Sequence, residues 1–109
     1  MDHLEADTDP AMTFSIGAED AETTIVTIRG ELDISNVDQL DTAMTPVIDR
    51  RVGRLILDVG ELRFADSSAI AVWVRWAAVV GELRLRRVSP LLRTVIVTMG
   101  LSGRLRLER

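Results

Sequence analysis

Cysteine is absent from the 109-residue chain, which excludes disulfide bridges, a thiol nucleophile and a zinc knuckle. Lysine is absent too, so the glycine-rich phosphate loop that ends in lysine cannot be assembled. The single histidine, His3, lies in an acidic stretch with no periodicity, and no Gly-x-Ser-x-Gly elbow occurs. A serine hydrolase would therefore lack its base, and catalysis is not expected. Aromatic residues make up only 4% of the chain and the formal net charge is −4, which argues against a base-stacking or phosphate-neutralising surface. Direct nucleic-acid binding is not expected. The longest apolar stretch, near residues 69–80, is broken by Arg75 and is too short to span a bilayer. Met1 to Asp7 lacks the basic start and apolar run of a secretory signal. The expectation is a soluble cytoplasmic protein without membrane insertion, metal or cofactor.

What remains is 47% apolar and mostly aliphatic, enough for one core and too short for two. Residues 1–12 are acidic, contain Pro10 and show neither helical nor alternating periodicity; they read as a flexible tail, with 13–109 as a single domain. Charge is uneven along the chain. Beyond Gly81 the only acids are Glu82 and Glu108 among many arginines, a pattern that fits a solvated face.

Two short strands, around Phe14–Ile16 and Thr24–Arg29, flank Gly17 and an acidic turn, and Gly30 is expected to end the second. Ser35 with Asp38 three positions on suggests a capped helix whose inner face is Val37, Leu40, Met44, Val47 and Ile48. Pro46 predicts a kink or break there, with the end near Gly53. The apolar run 54–59 reads as a central strand, 69–80 as a helix apolar almost all round, and Leu83–Arg86 and Arg104–Leu107 as strands with one wet face. Ser89-Pro90 and Gly100 bracket a helix over 91–99, although its β-branched run Thr94–Thr98 favours a strand by propensity. This order implies an α/β fold: a small mixed β-sheet with helices packed mainly on one face.

The most telling segment follows the central strand: Phe64-Ala65-Asp66-Ser67-Ser68-Ala69-Ile70 sets two hydroxyls at the mouth of a helix. Unpaired N–H groups and the positive end of the helix dipole would tolerate an anion there. With no further context the same motif is simply a good cap. Helix 69–80 cannot bury every side in a small domain, so Trp73 or Trp76 is expected either at an exposed interface edge or in the core.

Gly30-Glu31-Leu32-Asp33, then Leu57-Asp58, Phe64-Ala65-Asp66-Ser67-Ser68 and Leu83-Arg84-Leu85 resemble, in this order and spacing, a STAS domain of the bacterial anti-sigma factor antagonist type. The resemblance runs from about Phe14 to Leu107. It implies a partner switch: the unmodified domain binds an anti-sigma factor that is also a serine kinase, phosphorylation releases it, and a phosphoserine phosphatase resets it. The matching acceptor is Ser68, with Ser67 as a minor alternative; Ala69 stands where the family pattern has glycine. The resemblance also points to Asp33 in partner docking, or else as a turn residue satisfying local backbone. Asp66, Ser67 and Ala69 join the same surface, and proximity and helical spacing add Ser35, Asn36, Ile70 and Trp73. A homodimer is a further expectation. Two alternatives stay open: a STAS subunit docked on a membrane lipid transporter, for which Arg-rich residues 84–106 would suit an anionic surface, and a module that binds constitutively without phosphorylation.

Overall fold

The computed structural model describes residues 11–108. The expected acidic tail lies outside these residues except for Ala11 and Met12, and Met12 already belongs to the first strand. Strands β1 (Met12–Asp20) and β2 (Thr23–Leu32) form an antiparallel hairpin in which Phe14 faces Ile28. Gly17 lies inside β1 rather than between the strands. The turn falls at residues 21–22, where the Glu22 N–H donates to Asp20 Oδ1 at 2.9 Å. Gly30 does not end β2. It sits within the strand at φ +92°, and a Cβ there would stand 2.2 Å from the Ala11 carbonyl oxygen, so only glycine fits the bulge.

Helix α1 (Val37–Asp49) turns Val37, Leu40, Met44 and Val47 inward, as the periodicity predicts. Its cap differs from expectation. Asn36, not Ser35, is the N-cap, and its side chain makes no capping bond; Asn36 Oδ1 accepts instead from the Asp33 N–H at 3.0 Å. The helix continues through Pro46 to Asp49 without the expected break. Thr42 and Pro46 are both exposed, so the carbonyl deprived of its donor can turn to water.

Strand β3 (Arg54–Ala65) is twice as long as its apolar run suggests, because its second half keeps pairing with β2 after the apolar residues stop. Then follow α2 (Ser67–Ala77), β4 (Leu83–Arg86), α3 (Pro90–Thr98) and the two-residue β5 (Arg106–Leu107). The sheet order is β1-β2-β3-β4-β5, antiparallel at the first pair and parallel thereafter. Successive right-handed crossovers that advance in one direction leave all three helices on the same face. Val26, Ile28, Leu55, Leu57, Val59, Leu83 and Leu85 enter the shared core, while Arg84 and Arg86 alternate to the other face.

That open face is charged and internally paired. Glu82 receives the Nε groups of Arg84 (3.0 Å), Arg54 (3.2 Å) and Arg106 (3.4 Å), and Glu108 receives Arg86 Nε at 2.9 Å. The hydrogen bond from Arg84 is the chief reason that the Glu82 carboxyl titrates below its ordinary range.

Helix α2 answers the question its composition poses. Trp73 is 0% exposed and Trp76 2%, so both belong to the core, with Ile70 and Ala69 beside them. Two of the outward positions are alanines, Ala71 and Ala78, too small to need a cover. Asp41 of α1 ties the helices together, accepting from Trp76 Nε1 at 2.8 Å and Arg75 Nη2 at 3.0 Å. The helix stops at Ala77 rather than near Val80, whose side chain folds back into the core. In α3 the caps override β-branched propensity: Ser89 Oγ accepts from the Leu92 N–H, and Gly100 at φ +73° closes a Schellman motif through Leu101 N to Ile96 O and Gly100 N to Val97 O. The last strand is shorter than predicted because residues 102–104 form a turn. Among the described residues, no helix is long and apolar enough to cross a membrane.

Candidate functional site

Parallel strands β2 and β3 finish side by side, with Leu32 opposite Ala65, so the segments that leave them meet at one end of the sheet. One segment is Asp33–Asn36; the other is Asp66 entering α2. This brings together Asp33, Ser35, Asn36, Asp66, Ser67 and Ser68 from positions more than thirty residues apart, the Ile34 to Asp66 bond alone spanning 32.

Asp66 is the hub. As the N-cap of α2 its Oδ1 accepts from the Ser68 N–H at 3.0 Å and the Ala69 N–H at 3.2 Å, and from the Ser68 hydroxyl; its Oδ2 accepts from the Ile34 N–H at 3.1 Å. The Ser68 hydroxyl is the largest cause that holds the Asp66 carboxyl below its ordinary range, followed after partial desolvation by the backbone donors of Ala69, Ile34 and Ser68. The expected open nest for an anion is therefore largely filled already. Ser68 N and Ala69 N are taken by the Asp66 side chain and Ile70 N by the Asp66 carbonyl, leaving Ser67 N of the first turn for an incoming oxyanion.

Ser68 is half-buried at the surface and Ser67 exposed, so both hydroxyls lie outside the core. Asp33 is engaged locally: its carboxylate accepts from the Ser35 N–H at 2.9 Å and from the Ser35 hydroxyl. Asn36 Nδ2 completes the loop by donating to the Glu31 carbonyl at 2.9 Å. Asp33 thus shapes the loop beside Ser68 as a turn residue. Three expected surface residues are corrected. Ala69 (0% exposed), Ile70 (2%) and Trp73 (0%) point into the core, since the helix buries the face that begins at Ala69. The Ala69 methyl consequently does not obstruct the approach to Ser68.

The site also contains apolar residues that the sequence reading missed. Ile34 is 74% exposed, Phe64 53% and Leu91 75%; Ile34 is bonded to Asp66, and Phe64 and Leu91 line a groove that reaches Ala65. Their only sequence signal is a large apolar side chain set in a polar loop or at a helix start, which core packing would not require.

Asp66 makes a direct prediction. Asp66→Ala should cost about 1–2 kcal/mol in urea unfolding through the lost cap. Because the folded-state pKa of Asp66 is lowered, its stabilisation is complete above the ordinary value near 3.8 and disappears as pH falls through the folded value. The variant should lack that share of acid sensitivity, which unfolding at stepped pH would measure.

The family model described as "Mlab, STAS domain" matches residues 17–108. The anti-sigma factor antagonist of Mycobacterium paratuberculosis is similar in structure, with a TM-score of 0.74 at 20% identity over 88% of this chain and 84% of that one. SpoIIAA, an anti-sigma factor antagonist in its unphosphorylated form, gives 0.73 at 26% identity over 89% of each chain. The phosphorylated form of this Bacillus cell fate determinant gives 0.69 at 26% identity over 89% and 92%. No curated protein matches the chain. A model covering nearly the whole described chain, on the mixed five-stranded sheet and capped hydroxyl pair described above, shows that this chain belongs to the STAS-domain family and has the fold of its anti-sigma factor antagonists.

Proposed function

We propose that this chain is a non-enzymatic, cytoplasmic anti-sigma factor antagonist that binds an anti-sigma factor serine kinase and is released when that kinase phosphorylates Ser68. One observation carries the reading: half-buried Ser68 lies in the first turn of α2, next to exposed Ser67 and bonded to the Asp66 carboxylate that also holds the Asp33–Asn36 loop. In the reaction Ser68 Oγ would attack the γ-phosphorus of ATP, the bond to ADP would break, and the hydroxyl proton would leave to a base supplied by the kinase.

The product changes two interactions at once. The phosphoserine oxygen has no proton to donate, so Asp66 Oδ1 loses its shortest bond and faces about −1.5 to −2 charges instead. Helix-end attraction of about 0.3–1 kcal/mol offsets part of that repulsion, and the group swings outward into water. Within a desolvated contact no such escape exists, and a buried unpaired charge costs several kcal/mol. SpoIIAA resembles this chain both with and without its phosphate, which supports a switch that acts on binding while the fold persists. Mg-ATP added to the complex with the anti-sigma factor should release the wild-type chain but not Ser68→Ala. Equal retention of both would count against the proposal.

A second reading is favoured by a different surface. The open sheet face carries Arg54, Arg84, Arg86 and Arg106, whose guanidinium groups stand among Glu19, Glu82 and Glu108. Such a face suits a STAS subunit docked beside anionic lipid on a membrane transporter, without a phosphate cycle. Co-purification of a transporter ATPase with its permease, in place of a soluble histidine-kinase-like ATPase, would select that reading.

A further inference from the structure

Strand β3 has twelve residues, but β4 covers only Leu55–Asp58. From Glu61 to Ala65, β3 pairs with β2 alone, and the edge that faces α3 has no strand beside it among the described residues. Such an edge presents backbone N–H and C=O groups ready to pair with an added strand. Beside it runs an apolar groove of about 230 Å³, bounded by Leu62, Phe64, Leu91, Leu92 and Val95. That volume is below the range of about 300–1,000 Å³ usual for small-molecule sites and suits one or two side chains of a peptide. The groove lining reaches Ala65, the residue before the Asp66 cap that holds Ser68.

The geometry points to a strand-addition slot: an extended, apolar-centred segment of the anti-sigma factor kinase pairs with the Glu61–Ala65 edge of β3 and sets its apolar side chains between Phe64 and Leu91. This rests on the function proposed above and names how its partner is held. Charge fixes the chemistry of the segment. At one end Arg87 lies across Gly60, with its Nε on Asp58 Oδ1 at 2.8 Å and its Nη2 3.9 Å from Glu61, which closes the slot with a cation already paired. At the other end Glu31 is offset by Arg63 at 3.9 Å, and Asp33 and Asp66 leave an acidic excess. The segment accordingly carries a basic residue toward Asp66. Main-chain pairing supplies affinity and the alternate side chains in the groove supply selectivity, as in other strand additions. Phosphate on Ser68 would then sit at the acidic mouth of the slot, adding like charge where the segment enters.

The test compares hydrogen–deuterium exchange of the full chain, free and in complex with the purified anti-sigma factor kinase. Protection over residues 61–65 and 89–95 is expected. Leu91→Asp, at a position 75% exposed in the free chain, should weaken the complex at least about tenfold without altering the free chain's melting. Unprotected amides over 61–65, or undiminished affinity of Leu91→Asp, would overturn the slot. Ser68→Glu, measured alongside, decides the switch separately: weakened binding without protection at 61–65 leaves the switch standing and removes the slot. Protection together with an inert Ser68→Glu does the reverse. A dimer of the free chain that Leu91→Asp dissolves would show that a second copy occupies this edge, contradicting the choice of partner.

Discussion

Phosphorylation of Ser68 is expected to weaken the complex with the anti-sigma factor by about a thousandfold, corresponding to roughly 4 kcal/mol of lost binding free energy. The same modification should move the melting temperature by only a few degrees. Binding and folding separate because the hydroxyl is at the surface: in the free chain a phosphate reaches water, whereas in a docked interface it is enclosed. Within the free chain, a helix-end gain of about 0.3–1 kcal/mol offsets part of the lost Ser68 hydroxyl bond to Asp66. For a domain of this length each kcal/mol shifts melting by about 4–8 °C, so the net displacement stays small. Ser68→Glu brings one charge instead of two and should reduce affinity less, by roughly ten- to a hundredfold. Isothermal titration with the two forms, beside thermal melts of each, measures both quantities. A phosphorylated chain that binds normally, or that fails to fold, would be inconsistent with this separation.

Trp73→Ala should be the most damaging single substitution in α2, costing about 3–5 kcal/mol and lowering the melting temperature by about 15–30 °C. The reason is complete burial: Trp73 is 0% exposed and contributes to the core that joins α2 to the sheet. Its indole N–H has no acceptor among the described residues, and its contribution to the fold is one of packing. A tryptophan on an exposed docking edge would behave oppositely, with stability within about 0.5 kcal/mol of wild type and partner affinity lost. Circular-dichroism melts distinguish the two outcomes without any partner. Partner binding by Trp73→Ala is expected to fall only to the extent that the chain is unfolded.

The burial of Trp73 shows where periodicity stopped being informative. In α1, polar residues separate the apolar ones, and the inner face could be named from the sequence. In α2 nearly every position is apolar, and only the sizes differ. Trp73, Trp76, Ile70 and Ala69 face inward while Ala71 and Ala78 face out, a division that a hydrophobicity pattern does not record. The site was legible where a short-range motif defined it. Asp66-Ser67-Ser68 has the spacing of an N-cap followed by its recipients, and the structure places it so. What the sequence left out is that the cap competes with the phosphate for the same donors.

Longer-range relations were harder to read. Ser35 and Asp38 have the spacing of a capping box, yet Ser35 is drawn back to Asp33 and the cap position passes to Asn36. Gly30 looks like a strand end because glycine weakens strands, but the close approach of Ala11 across the hairpin makes it necessary inside one. The length of β3 was underestimated for a related reason: Glu61 and Phe64 remain paired to β2 although they are exposed, so backbone pairing outlasts the apolar pattern. That hidden extension is what creates the open edge beside Ser68.

The account stands most directly on the location of one phosphate. Incubation of the chain with its anti-sigma factor kinase and Mg-ATP, followed by fragmentation mass spectrometry, should place a single phosphate on Ser68, with the complex dissociating in step with its appearance. Transfer to a different residue, or full occupancy of Ser68 with the complex still intact, would contradict it.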